Sequence, residues 1–86
     1  MEFEFDPAKS IANRQKHGID FEQAKALWLD DNRFEIFGLF EAEARHLIVG
    51  MIDAEYWTAI ITFRATRIRL ISVRRARDTE IACYEG

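Results

Sequence analysis

"RHLIVGMIDAEYWTAIITFRATRIRLISVR", residues 45–74, decides the fold of this chain. It divides into three runs, 45–53, 56–63 and 66–74, each dense in β-branched and aromatic residues. Such side chains fit a pleated, half-buried surface, so each run reads as a strand. Asp53-Ala54-Glu55 separates the first two runs, and Arg64-Ala65-Thr66 separates the second from the third. Connections this short join antiparallel neighbours, which makes the segment a meander. Residues 34–40, apolar and aromatic around Gly38, precede it as a further strand.

Outward from the meander the period changes. "MEFEFDP" (1–7) alternates Phe3 and Phe5 with acids, which is the period of a short strand. Asp6-Pro7 then reads as the N-cap and first residue of a helix. Ala8, Ile11 and Ala12 are expected to form its buried stripe, and Gly18 to end it. Asp20 and Gln23 resemble a capping box opening a second helix, with Phe21, Ala24, Leu27 and Trp28 facing the core. Residues 76–85 read as a last helix, in which Cys83 packs inward. The expected layout is one α+β domain over 1–86, with two N-terminal helices and one C-terminal helix on one face of an antiparallel β-sheet.

The composition suits a small globular core: 86 residues, 49% of them hydrophobic and 13% aromatic. One cysteine, Cys83, rules out an internal disulfide and fits a reducing compartment. With His17 and His46 it falls short of a zinc ligand set. The first twenty residues are too charged for a signal peptide, and no apolar run approaches the ~20 residues of a membrane span. The expectation is a cytoplasmic protein without a cofactor: no glycine-rich phosphate loop occurs.

Charge is divided unevenly. The formal net charge is −3. Residues 1–43 carry ten acids and five bases, a balance of −5, whereas residues 44–86 carry five acids and seven bases, a balance of +2. Between Arg64 and Arg77 stand six arginines, with no lysine and no acid. By strict alternation Arg67, Arg69, Ile71, Val73 and Arg75 share one face of a strand, and Ile68, Leu70, Ser72 and Arg74 the other. A guanidinium grips phosphate with two parallel bonds and stays charged, so the stripe is a candidate anion site. The plainer reading pairs these arginines with the surplus carboxylates.

His17, in the last helical turn beside Lys16, is a candidate general acid or base, or only a complement to the helix dipole. Glu80 is a candidate acid–base group or an intrahelical partner of Arg77. His46 reads as structural, and Tyr84 as a core aromatic.

Taken together, Phe5-Asp6-Pro7, Lys9, Asn13, Lys16-His17-Gly18-Ile19, Phe21, Ala24 and Asp30, followed by Arg45 and "IVG" (48–50), then Arg69, Ile71-Ser72, Arg74-Arg75-Ala76, Glu80 and Tyr84, carry a resemblance. The chain resembles the BrnT toxins of bacterial type II toxin–antitoxin systems over almost its full length. It departs from them in having Phe5 where tryptophan is common, Val73 where alanine is usual, and a stretch at 31–44 that is more apolar than the charged loop expected.

The resemblance implies a RelE-like fold and a metal-independent endoribonuclease that arrests growth by cutting RNA. It also implies a cognate BrnA-like antitoxin with a ribbon-helix-helix portion, through which alone the toxin meets operator DNA. Metal-free cleavage turns the 2′-OH on the adjacent phosphorus, so it needs proton transfer and cations. On this implication His17 and Glu80 are catalytic candidates for proton transfer, and Arg64, Arg74 and Arg75 for stabilising the transition state. Lys16, Arg67 and Arg69 are candidates for holding substrate phosphates. The alternative is a catalytically inert binding module, or a co-repressor acting only through its antitoxin and DNA complex.

Overall fold

The computed structural model describes residues 2–40 and 43–86; positions 41 and 42 of the apolar stretch lie outside them. The elements are β1 (Glu2–Glu4), α1 (Pro7–His17), α2 (Phe21–Ala24) running into a 3-10 helix (Lys25–Leu29), β2 (Phe34–Phe40), β3 (Glu43–Ile52), β4 (Glu55–Arg64), β5 (Arg67–Arg75) and α3 (Asp78–Glu85). The strands form one sheet in the order β1-β5-β4-β3-β2. The meander β2-β3-β4-β5 is antiparallel, as its short connections require. The sheet as a whole is mixed. β1 pairs with β5 in parallel, Glu2 beside Arg67 and Glu4 beside Arg69, because the chain reaches that edge only after traversing the whole meander.

The helices also depart from expectation. The second helix keeps α geometry for a single turn before tightening into the 3-10 segment. The capping box is formed: Asp20 Oδ1 accepts from Gln23 N, and Gln23 Oε1 accepts from Asp20 N. α1, α2 and the 3-10 helix cover one face, while α3 lies against the other, where Glu80 meets Thr58.

α1 begins and ends as its caps dictate. Asp6 accepts from the Ala8 amide, and Gly18 adopts φ 83°. Its buried face is not the apolar stripe. Ala8, Ile11 and Ala12 are exposed, and the buried residues are Ser10 and Asn13. The sheet supplies the reason. β1 pairs with β5 only from Arg67 to Arg69, so the main chain of Val73 lies beyond it. Asn13 stands in for the missing strand: Nδ2 donates to Val73 O at 2.9 Å and Oδ1 accepts from Val73 N at 3.1 Å. Nδ2 also donates to Ile19 O at 2.8 Å, which ties the α1–α2 joint to the same point. Ser10 Oγ accepts from Phe21 N at 2.9 Å. Buried backbone groups require partners, and here a helix supplies them with side chains.

The core fills the space between α1–α2 and the sheet. Phe21, Ala24 and Leu27 meet Ile48, Ala59, Ile61, Ile68, Leu70 and Val73, with Phe3, Phe5 and Trp28 at its margin. Phe3 meets Trp28 edge-on at 4.9 Å. Gly50 lets the 3-10 segment lie close: a Cβ there would stand 3.1 Å from Leu27 Cδ2 and 3.2 Å from Asp30 Oδ2.

A register shift between Ile60 and Ile61 leaves Ile71 without a cross-strand partner. Ile60 pairs with Ser72 and Ile61 with Leu70. The bulge resets alternation halfway along β5. Arg67, Arg69, Ser72 and Arg74 therefore share one face, with Ile68, Leu70, Val73 and Arg75 on the other. The strict-alternation grouping holds only up to Leu70.

Two consequences can be measured. Replacing Asn13 with Ala orphans three buried backbone groups and is expected to cost on the order of 3 kcal/mol of unfolding free energy in urea. The hairpin between β3 and β4 places Asp53 at φ 49° and Ala54 at φ 68°, left-handed geometry that suits glycine. Ala54→Gly is accordingly expected to raise stability by roughly 0.5–1 kcal/mol in the same assay.

Candidate functional site

The bulge brings Arg74, in exchange for Arg75, onto the face that already carries Arg64, Arg67 and Arg69 and that α3 only partly covers. Arg64 stands opposite Arg67 across the β4–β5 turn, Arg69 opposite Thr62, and Arg74 opposite Thr58. From Arg69 to Arg74 the strand advances about 16 Å. The result is a basic track along one strand, open at the turn end and closed by α3 at the other.

At the closed end, Arg74 and Glu80 form a two-pronged ion pair. Nη1 and Nη2 of Arg74 donate to Oε1 and Oε2 of Glu80, both at 2.9 Å. The carboxylate also accepts from Thr58 Oγ1 at 2.9 Å and from the Arg77 amide at 2.7 Å. Glu80 is 6% exposed. The Arg74 bonds lower its pKa most, burial opposes them, and the Arg77 amide and Thr58 hydroxyl add to the lowering; the net result is about 2. Near neutral pH Glu80 is therefore an anion with no proton to give. The arrangement suits it to holding the guanidinium in one orientation, with part of Arg74 left accessible.

At the open end, Arg69 Nη1 contacts Glu4 at 2.8 Å and Arg67 Nε lies 3.5 Å from Glu2. Arg64 makes no ion pair among the described residues. The acids of β1 thus lie beside the bases of β5 because the two strands run parallel in register. The Arg67–Glu2 pair is exposed and contributes about 0–1 kcal/mol, so an arriving phosphate displaces it at small cost, whereas Arg69 and Glu4 are half-buried.

The remaining candidates lie on the helix side. Arg75 extends over the Trp57 ring, 5.2 Å from its centroid, and pairs with Glu55. Lys16 is exposed and His17 half-buried at the end of α1. Gly18, next to His17, lines an open cleft with Glu55 and Trp57. Among the described residues, no hydrogen bond, ion pair or ring contact joins His17 to Arg74, Arg75 or Glu80. The sequence candidates thus fall into three groups: Arg74 with Glu80; Arg64 with Arg67 and Arg69 along the same face; and Arg75, Lys16 and His17 behind it.

This fold carries a family signature. Residues 5–80 match the family model of the ribonuclease toxin BrnT of type II toxin–antitoxin systems. The chain belongs to the BrnT family. Members are ribonuclease toxins, and the type II system implies an antitoxin as partner. A comparison with curated proteins finds no significant match. The span matched to BrnT runs from the aromatic residue before α1 to Glu80 itself, so it contains the arginine track, its clasp and α1.

In this BrnT-family chain two residues of the site escaped the sequence reading. Thr58 was visible as a polar residue in an apolar strand, sharing a face with Tyr56, Ile60 and Thr62. Nothing local linked it to Glu80, 22 positions on. Glu55 looked like part of a turn. Cys83, expected to pack inward, is exposed. Among the described residues, no helix is long and apolar enough to cross a membrane.

The low pKa of Glu80 fixes a pH dependence. Its folded value, about 2, lies below the reference 4.5. The stability it contributes is present in full above that reference value and is lost as pH falls from about 4.5 toward 2. Urea unfolding of wild type against Glu80→Gln is expected to show a gap of up to about 3 kcal/mol at pH 7 that narrows across this window. A gap unchanged down to pH 3 would contradict the clasp.

Proposed function

We propose that this chain is a metal-independent endoribonuclease toxin that cuts RNA to arrest growth, using the arginine track as its phosphate site. The observation that carries the reading is Arg74, oriented by Glu80, which Thr58 holds in turn, at the end of a basic strand face in a chain of a ribonuclease family. RNA lies along β5, with Arg64, Arg67 and Arg69 on its backbone phosphates. The 2′-oxygen attacks the adjacent phosphorus, its proton leaves to a base, and the 5′-oxygen departs with a proton from an acid. Arg74 faces the charge that develops on the phosphorane oxygens, a contribution that preorganised donors supply without reorienting. His17 is the proposed proton-transfer group, acting from behind the sheet relative to Arg74, and Lys16 and Arg75 are further cations on that side. Glu80 acts here as a positioning residue.

In the same reading the fold is RelE-like. The partner is a BrnA-like antitoxin, and its ribbon-helix-helix portion carries the complex to operator DNA. The inert binding module draws on one specific observation: Arg67, Arg69, Arg74 and Arg75 each already have a carboxylate partner.

Purified, antitoxin-free protein incubated with RNA in EDTA separates the two. Wild type is expected to cleave, and Arg74→Ala to lose about 10²–10³ in rate. Circular dichroism checks that the variant is folded. His17→Ala reports whether the imidazole moves a proton, through loss of one limb of the pH–rate profile. Absence of cleavage by folded wild type would sink the free-standing nuclease and favour the binding module.

A further inference from the structure

The two edges of the sheet are finished differently. On the β5 side, three-residue β1 pairs with Arg67–Arg69, its acids lie beside arginines, and Asn13 occupies the main chain of Val73. On the other side lies β2, seven residues long, with no further strand beyond it among the described residues. Its sequence, "FEIFGLF", contains one charge, Glu35, and neither lysine nor proline, the residues that commonly protect an edge. Ile36 is 36% exposed and Phe37 63% exposed, on opposite faces of the strand. On the helix-bearing face the Phe37 ring stands 5.1 Å from His46, which stands 4.7 Å from Phe63, itself half exposed. An apolar band, interrupted on this face by the ion pair of His46 with Glu35, thus borders an edge whose outer N–H and C=O groups have no strand partner among the described residues.

We propose that the β2 edge pairs antiparallel with β2 of a second copy of this chain, joining the two sheets across a two-fold axis. The strand's own pattern selects this occupant. Antiparallel pairing sets residues of the same face opposite one another, so the axis passes through a residue position. Centred on Ile36 or Phe37, it places Glu35 across from position 37 or 39 of the other copy, never across from its own equivalent. No like charges meet. The Phe63–His46–Phe37 cluster of one copy then continues into that of the other on a single face, and the exposed apolar rings cover each other. The pairing leaves the β5 face and Arg74 untouched, so it does not depend on the nuclease reading.

Sedimentation velocity of the purified, antitoxin-free chain over a concentration series tests this. A dimer whose share rises with concentration is expected. Ile36→Lys and Phe37→Lys should each return it to monomer while near-UV circular dichroism stays that of wild type. Hydrogen exchange of wild type supplies a second readout that needs no substitution: β2 amides should slow as concentration rises, and those of β1 should not. A monomer throughout the series overturns the proposal. So does a dimer that persists in both variants, or concentration-dependent protection that appears elsewhere than β2. Protection of β2 only on adding antitoxin would assign the edge to that partner instead.

Discussion

The architecture depends on one amide side chain. Asn13 makes three hydrogen bonds to main-chain groups of Val73 and Ile19, in a position buried from water. Those bonds set how α1 meets the edge of β5, where the α1–α2 joint lies, and how the core residues of α2 descend onto the sheet. A buried amide is costly unless satisfied and specific when it is, because few geometries meet all of its partners at once. A leucine in the same place would bury more apolar surface and leave the Val73 edge open.

A second polar knot does for the opposite face what Asn13 does for the helix face. Glu80 holds α3 to the sheet through Arg74 and Thr58, while Tyr84 meets the Tyr56 ring at 5.3 Å and donates to Asp30 at 2.8 Å. Burial pushes Asp30 up, but bonds from the Met51 and Asn32 amides and the Tyr84 hydroxyl outweigh it and hold the carboxyl below its ordinary value. The same groups that attach the helix also orient the guanidinium at the end of the basic track. Stability and site geometry are therefore coupled at Glu80. The puzzle of an arginine-rich strand in an acidic chain resolves along the same lines. The acids come mainly from the N-terminal half, and two of them, Glu2 and Glu4, are laid beside Arg67 and Arg69 by the parallel strand.

What could be read in advance follows from the range of the forces involved. The caps at Asp6, Gly18 and Asp20 are local hydrogen-bond problems solved within a few residues, and all three stand where the residues place them. The meander is likewise local, since turns of a few residues leave no other pairing. Ile11 misled because helical spacing of apolar residues argues for burial only if the apolar side faces the core. Here α1 faces the part of the β5 edge that β1 leaves unpaired, and polar Ser10 and Asn13 take the inward positions. Strict alternation misplaces Arg74 and Arg75 because a bulge at Ile71 carries no composition signal of its own.

By itself, then, the sequence determined the strand and helix order, their local caps, the concentration of arginine in the last strand and the kinship with BrnT toxins. Each rests on neighbours in the chain or on a pattern carried by the chain. Only the tertiary structure decided that β1 lies parallel to β5, that α3 crosses to the other face, that Glu80 takes Arg74 rather than Arg77 as its ion partner, and that the β2 edge stays open. Those outcomes join residues as much as 65 positions apart. They turn on which backbone groups the sheet leaves unpaired, and no stretch of sequence specifies that until the whole sheet has formed.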